Sequence, residues 1–204
     1  MIDFYTAATP NGQKVSLMLH ELGVEFKEHK VNLAANEQKT PEFLKMNPNG
    51  RIPVIVDHEG PFGKKQTVFE SGAILYYLAE KYGRFFGNNL SEKAVAMEWV
   101  MFQMAGIGPM FGNLYYGKNS LKPFNPAYVA RFHKESARLI SVMEMRLRET
   151  TYLAGHAYTI ADMTTYPWIR AMGGMSPELL NEAPAVRRWM AAIADRPAVK
   201  KALA

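Results

Sequence analysis

Thr9-Pro10-Asn11-Gly12-Gln13-Lys14 sets a hydroxyl, a carboxamide and a glycine between two patterned stretches. Ile2-Asp3-Phe4-Tyr5 ahead of it reads as a strand, and Val15, Met18, Leu19 and Leu22 behind it fall at i, i+3, i+4 and i+7 of a helix. The six residues therefore form a strand-to-helix turn. Such a turn aims unpaired backbone N–H groups, and the positive end of the helix, at whatever lies in front of it. Thr9 and Asn11 add side-chain donors, and neither is a strong nucleophile. The chain holds no cysteine, so any reactive sulfur at this turn must arrive with a ligand. Residue type alone also allows Asn11 to cap the helix, with Pro10-Asn11-Gly12 a plain turn.

Two further places carry chemistry. Glu70-Ser71 opens a helical pattern, where a hydroxyl and backbone N–H groups can receive a carboxylate and a glutamate can accept from an ammonium. On residue type alone Ser71 reads as an ordinary N-cap. Arg51-Ile52-Pro53 enters a strand through a proline, and a trans proline is allowed at the first residue of a strand. Gln38 and Asn49 lie in loops on the same side of the fold. His20-Glu21 lacks a second histidine at metal spacing, and the 5 histidines are scattered, so no metal is expected.

These residues are positioned by a chain whose period changes along its length. Residues 1–83 read as βαβα–ββα: a strand, the helix ending at Gly23, a second strand in FKEHKVNL, and a short helix after Thr40-Pro41. A strand in RIPVIVD, a short strand in TVF and the helix of ESGAILYYLAEKYG complete the order. Residues 84–90 are turn-rich and aperiodic, as a linker is. Residues 91–204 carry no strand signal. Residues 91–117 and 126–149 read as two long helices, with Phe132, Leu139, Met143 and Leu147 on one side of the second. Thr159 and Asp162 form a capping box ahead of another helix, and shorter helices follow Pro184 and Pro197. The fold class is thus an α/β N-terminal domain with an all-α C-terminal domain.

The 204 residues are 48% hydrophobic and 21% charged, ordinary for a globular protein, and the net charge of +5 is spread in mixed sign. No nucleic-acid partner is expected, and a mild positive field suits an anionic small molecule. No apolar run is long enough for a membrane span, and the N-terminus lacks a secretory pattern, so a cytoplasmic location is expected.

Four segments together resemble the glutathione transferase superfamily over essentially the whole chain: NPNGRIPVIVD (47–57), FESGAILYYLAEKYG (69–83), the TIADM capping box, and TPNG at the opening turn with GPMFG (108–112) and Arg131-Phe132. The last set is similar to the bacterial Nu class, whose members act on glutathione disulfides and organic peroxides. The resemblance implies a thioredoxin-like domain over 1–83, an all-helical domain over 91–204, a homodimer, and glutathione as bound co-substrate. It implies that Ser71 receives the γ-glutamyl carboxylate and Glu70 the ammonium. It implies a cis Pro53, with the backbone of Ile52 pairing with the cysteinyl residue and Arg51 reaching the glycyl carboxylate, while Gln38 and Asn49 reach the tripeptide. Thr9 and Asn11 are the expected catalytic residues, donating to the glutathione thiolate, and Arg131 is expected to meet a second glutathione. Tyr5 is the rival thiolate donor, because other classes use a first-strand tyrosine. Met110, Phe111, Tyr115 and Tyr116 are either walls of an acceptor pocket or core.

The expected reaction is glutathione-dependent reduction of a disulfide without a protein cysteine, with organic peroxides as further acceptors. Conjugation of glutathione to an electrophile is one alternative. A non-catalytic binding module on the same fold is the other.

Overall fold

Alternating residues of Ile2–Thr6 form β1, whose Ile2, Phe4 and Thr6 are buried and whose Asp3 and Tyr5 are half-buried. In the computed structural model, which describes residues 1–204, β1 lies inside a four-stranded sheet of order β2-β1-β3-β4. Strand β2 (Phe26–Lys30) runs parallel to β1, with Ile2 opposite Phe26. Strand β3 (Val54–Asp57) is antiparallel to β1, and β4 (Gln66–Phe69) is antiparallel to β3. The parallel pair needs a crossover, supplied by α1 (Pro10–Leu22), which stops at Gly23 in the left-handed conformation (φ +69°). Thr40 caps α2 (Pro41–Met46), whose Phe43 packs with Val31, Val54 and Tyr5. Helix α3 (Ser71–Tyr82) packs on α1, and β3 is tied to α3 through Asp57, a buried carboxylate that accepts from Tyr77 Oη and Lys81 Nζ. Burial raises this carboxyl, but the bonds from Lys81 and Tyr77 outweigh it and hold it below its ordinary value.

The chain divides into two units, Met1–Arg84 with Pro197–Ala204, and Phe85–Arg196. The second unit consists of α4 (Leu90–Phe102), α5 (Gly108–Asn119), α6 (Pro126–Glu149), α7 (Ile160–Met175) and α8 (Pro184–Ala194). Two details differ from the sequence reading. Residues 91–117 are not one α-helix, because a π-helical stretch, Gln103–Ile107, separates α4 from α5. Gly108 N–H bonds back to Gln103 C=O, a five-residue step, and Pro109 has no N–H to continue the α-helical ladder there. Helix α9 (Pro197–Leu203), expected with the helical half, packs along α1 in the first unit: Val199 is buried, and Ser16 Oγ donates to Ala202 C=O at 3.4 Å. No helix is long and apolar enough to cross a membrane.

The Thr159–Asp162 capping box forms as the sequence predicts. The Asp162 carboxylate is fully buried and accepts from the backbone N–H groups of Leu153 and Thr159 and from Trp189 Nε1, at 3.0, 2.9 and 2.8 Å. Glu144 of α6 does the same for α8, accepting from Ala185 N and Val186 N at 2.9 and 3.0 Å where the N-cap, Ala183, has no side-chain acceptor.

Candidate functional site

At the opening turn the N-cap of α1 is Thr9, not Asn11. Thr9 is extended (φ −128°, ψ 160°), its Oγ accepts from Gly12 N at 3.3 Å, and Pro10 fills the first helical position. Asn11 is the second residue of the helix and is half-buried. Gly12 is required by close packing: a Cβ there would lie 2.3 Å from Thr6 Oγ and 2.4 Å from Ala7 C=O. The helix start is thereby pressed against the end of β1. The first turn of α1 contains no acidic residue, so the partial positive charge of its backbone N–H groups is not offset from within. Tyr5 is held on the other side of β1. Its ring stacks on His29 (centroids 4.5 Å apart, planes at 11°) and meets Phe43 edge-on. Burial, aided by the charge of Asp3, pushes its phenol above the ordinary value, so the hydroxyl stays protonated.

The segment 47–53 is shaped by a residue that the sequence reading passed over. Asn47 is 1% exposed. Its Nδ2 donates to Arg51 C=O at 2.7 Å, and its Oδ1 accepts from Asn49 N at 2.9 Å. One buried carboxamide thus closes the turn that presents Asn49, Gly50 and Arg51. Gly50 sits at φ +59°, and a Cβ there would meet Gln38 C=O at 3.0 Å, which places Gln38 beside this turn. The Gln38 side-chain oxygen is shielded and has no hydrogen-bond partner. Arg51 is exposed, Ile52 half-buried and Pro53 buried, and the Ile52–Pro53 bond is cis.

Ser71 is not an N-cap. It is the first residue of α3, and the capping position belongs to Glu70, whose side chain makes no cap bond. Glu70 is held at φ +68°, ψ +118°. A non-glycine residue there costs roughly 1–3 kcal/mol, and such outliers gather at ligand sites. Asn49 Nδ2 donates to the exposed Glu70 carboxylate at 3.5 Å, so the 47–51 turn and the head of α3 adjoin. Behind Ser71 stands Lys14, 1% exposed, whose Nζ donates to Ser71 Oγ at 3.2 Å. Lys14 therefore links the head of α1 to the head of α3. The sequence reading assigned it no role, because a lone lysine in an amphipathic helix gives no signal beyond its charge.

In the helical unit, Arg131 is exposed on α6, its guanidinium 5.8 Å from the centroid of the Phe132 ring. One turn away Tyr128 contacts Phe132 (4.6 Å) and Tyr116 (6.4 Å) and donates to Asn113 Oδ1 at 2.6 Å. The four residues with two readings divide. Phe111 is core at 0% exposure, Tyr115 and Tyr116 are exposed, and Met110 is half-buried.

The first unit therefore gathers Gln38, Asn49, Glu70, Ser71 and Lys14 around adjoining loops and helix heads, with Arg51 and the cis Ile52–Pro53 bond at the edge of the 47–51 turn. Residues 2–80 match the glutathione S-transferase N-terminal domain family, and residues 104–197 match the glutathione S-transferase C-terminal domain family. The disulfide-bond oxidoreductase YfcG of Escherichia coli (strain K12) is 40% identical over 204 residues, 100% of this chain and 94% of that protein. The disulfide-bond oxidoreductase YghU of the same organism is 35% identical over 213 residues, 98% of this chain and 73% of its own. Among solved structures, a glutathione transferase from Burkholderia graminis, with two glutathione molecules bound per subunit, superposes with a TM-score of 0.96 at 43% identity, covering 99% of this chain and 87% of that one. A glutathione transferase from Pseudomonas putida, with one glutathione disulfide bound per subunit, superposes with a TM-score of 0.91 at 35% identity, covering 99% and 90%.

Proposed function

Because the chain belongs to the glutathione S-transferase family, we propose that it binds glutathione on its first unit and uses it to reduce disulfides. The observation that carries this reading is the opening turn: a helix start with a threonine cap, a carboxamide and no first-turn acid, in a chain without cysteine. The protein supplies donors, and the ligand supplies the sulfur. The names of the Escherichia coli relatives, and the glutathione pair or glutathione disulfide in the structural neighbours, support the same chemistry.

In the proposed site Ser71 and the N–H groups at the head of α3 receive the γ-glutamyl carboxylate, and Glu70 receives the ammonium. The backbone of Ile52 pairs with the cysteinyl residue, and Arg51, with Gln38 and Asn49, holds the glycyl end. Thr9 and Asn11 donate to the thiolate. That thiolate attacks one sulfur of the acceptor disulfide, and a glutathione mixed disulfide forms as the other sulfur leaves as a thiolate. A second glutathione thiolate attacks the glutathione sulfur of the mixed disulfide, releasing glutathione disulfide and the second thiol of the acceptor. Two thiols are oxidised, one disulfide is reduced, and the protons of the two glutathione thiols end on the two product thiols. Arg131 is the residue proposed to neutralise a carboxylate of the second glutathione. Organic peroxides are a further proposed acceptor class. The protein is proposed to act as a homodimer in the cytoplasm, where thiols are kept reduced.

Magnitudes locate the catalytic power. A thiol of pKa near 8.5 is about one tenth ionised near pH 7.5, so complete ionisation gains only about tenfold. Lowering the pKa also weakens the nucleophile. Holding two sulfurs in line contributes more, which favours a site for two glutathiones over one built only to ionise a thiol.

The test is turnover of a small model disulfide with excess glutathione. Asn11→Ala is expected to lower kcat by up to about tenfold with the fold intact, and full activity in that variant rejects the assignment. Electrophile conjugation is the second reading, favoured by a structural neighbour, Ure2p, solved in complex with S-hexylglutathione, a thioether of glutathione. Calorimetric stoichiometry separates the two. Two glutathiones, or one glutathione disulfide, per subunit supports exchange, and a single glutathione with no disulfide turnover supports conjugation.

A further inference from the structure

Lys14 is among the largest fully buried side chains of the molecule. Its surroundings disfavour a cation. It lies near the start of α1, and its ammonium meets Ser71 at the start of α3. Both helix ends carry partial positive charge. Neither first turn contains an acid.

On the elements packed against it, Glu70 at the head of α3 is the charge that acts in its favour. Asp3 of β1 is engaged by His29 and His58. His20 and Glu21 lie at the far end of α1, and Lys200 and Lys201 of α9 are exposed. Burial outweighs the attraction of Glu70 and brings the Lys14 amine down to about 7.

We propose that Lys14 is a positioning residue for the γ-glutamyl carboxylate, taking up a proton from solvent as the carboxylate docks on Ser71 and holding the Ser71 hydroxyl in place to donate to it. The inference rests on the reading of Ser71 as the carboxylate subsite and adds a proton to that binding step. An ammonium has three donors and no lone pair, so Ser71 can only accept from a protonated Lys14 and must direct its own hydrogen elsewhere. A neutral amine can instead accept that hydrogen and compete with the ligand. The carboxylate docking on Ser71 brings a negative charge beside Lys14 while Glu70 pairs with the ligand's ammonium, and the lysine returns toward its ordinary basicity. Binding is then tightest where Lys14 is already protonated and weakens as pH rises through the neutral range.

The probe is S-methylglutathione, which has no thiol to titrate, bound to the full chain and followed by calorimetry from pH 6.5 to 8.5. The wild type is expected to lose about 25-fold in affinity across this window. Near pH 7.5 it should take up more than half a proton per ligand, read from two buffers of different ionisation heat. Lys14→Arg carries a cation that does not titrate; it should show only the ligand's own pH dependence and no uptake near pH 7.5. Lys14→Met should bind weakly at every pH. Ser71→Ala separates the two layers of the argument. Unchanged affinity in Ser71→Ala overturns the subsite reading itself. Weakened affinity there, with no proton uptake in the wild type, leaves the subsite standing and overturns the role of Lys14. The wild-type measurement needs no variant, so poor folding of a Lys14 substitution does not remove the test.

Discussion

Helices α1 and α7 both begin on a threonine in extended conformation, Thr9 and Thr159. They differ in the next three residues. Helix α7 has Asp162 at its third position, inside a closed capping box, with Trp189 and Leu153 also donating to that carboxylate. Helix α1 has Gly12 at the same position and no acid in its first turn. One helix start is satisfied from within and fully buried. The other is capped by Thr9 Oγ and has no first-turn acid, and it is the end proposed to receive the glutathione sulfur. The same threonine cap is closed by an acid at α7 and left without one, by a glycine, at α1.

The comparison breaks most visibly at Asp162. Asp162→Ala strands buried donors and is expected to cost roughly 3 kcal/mol or more. Denaturant unfolding should show a large fall in midpoint, and a change below about 1 kcal/mol would mean that α7 does not depend on its box.

A second test uses pH. Burial pushes the Asp162 carboxyl up to about 6, against the bonds from Leu153, Thr159 and Trp189 that pull it down. The folded state therefore keeps a proton that the unfolded chain, near 3.8, has lost. The sign is that of a raised pKa: this stability is fully present below about pH 4 and is lost as pH rises through about 6, on the order of 3 kcal/mol. Thermal midpoints of wild type and Asp162→Asn between pH 4 and 7 should differ in slope, and parallel curves contradict the shift.

At α1 the expected stability effects are smaller. Thr9→Ala removes the cap and should cost about 1 kcal/mol by chemical denaturation, with Thr9→Ser close to wild type. Asn11→Asp makes α1 resemble α7 by adding a first-turn acid. It should leave stability unchanged or raise it by about 0.3–1 kcal/mol. Disulfide turnover should nevertheless fall at least tenfold, because a carboxylate repels the thiolate that the turn is proposed to hold. Full turnover in Asn11→Asp would show that the open helix end is not where the sulfur sits.

Much of this contrast was legible in the chain. Thr159 and Asp162 are three residues apart ahead of an apolar run, and that spacing alone defines a capping box. Val15, Met18, Leu19 and Leu22 gave α1 its period, Gly23 its end, and Thr40-Pro41 the start of α2, because these signals act within a few residues of themselves. The segment 91–117 was read as continuous because its small residues, Ala105, Gly106 and Gly108, carry little periodicity, and the π-helical step depends on backbone bonding around Pro109.

The sequence by itself determined the elements, the absence of a protein thiol, and the donor types at the two helix heads. Only the tertiary structure decided which donors face one another. It made Thr9 and not Asn11 the cap, moved the cap position of α3 from Ser71 to Glu70, buried Asn47 as the clamp of the 47–51 turn, and drew α9 onto α1. It also placed Lys14 against Ser71, 57 positions away. Burial and pairing across such separations are set by packing, and a lysine's sequence neighbours do not record whether its ammonium ends in water or beneath a serine.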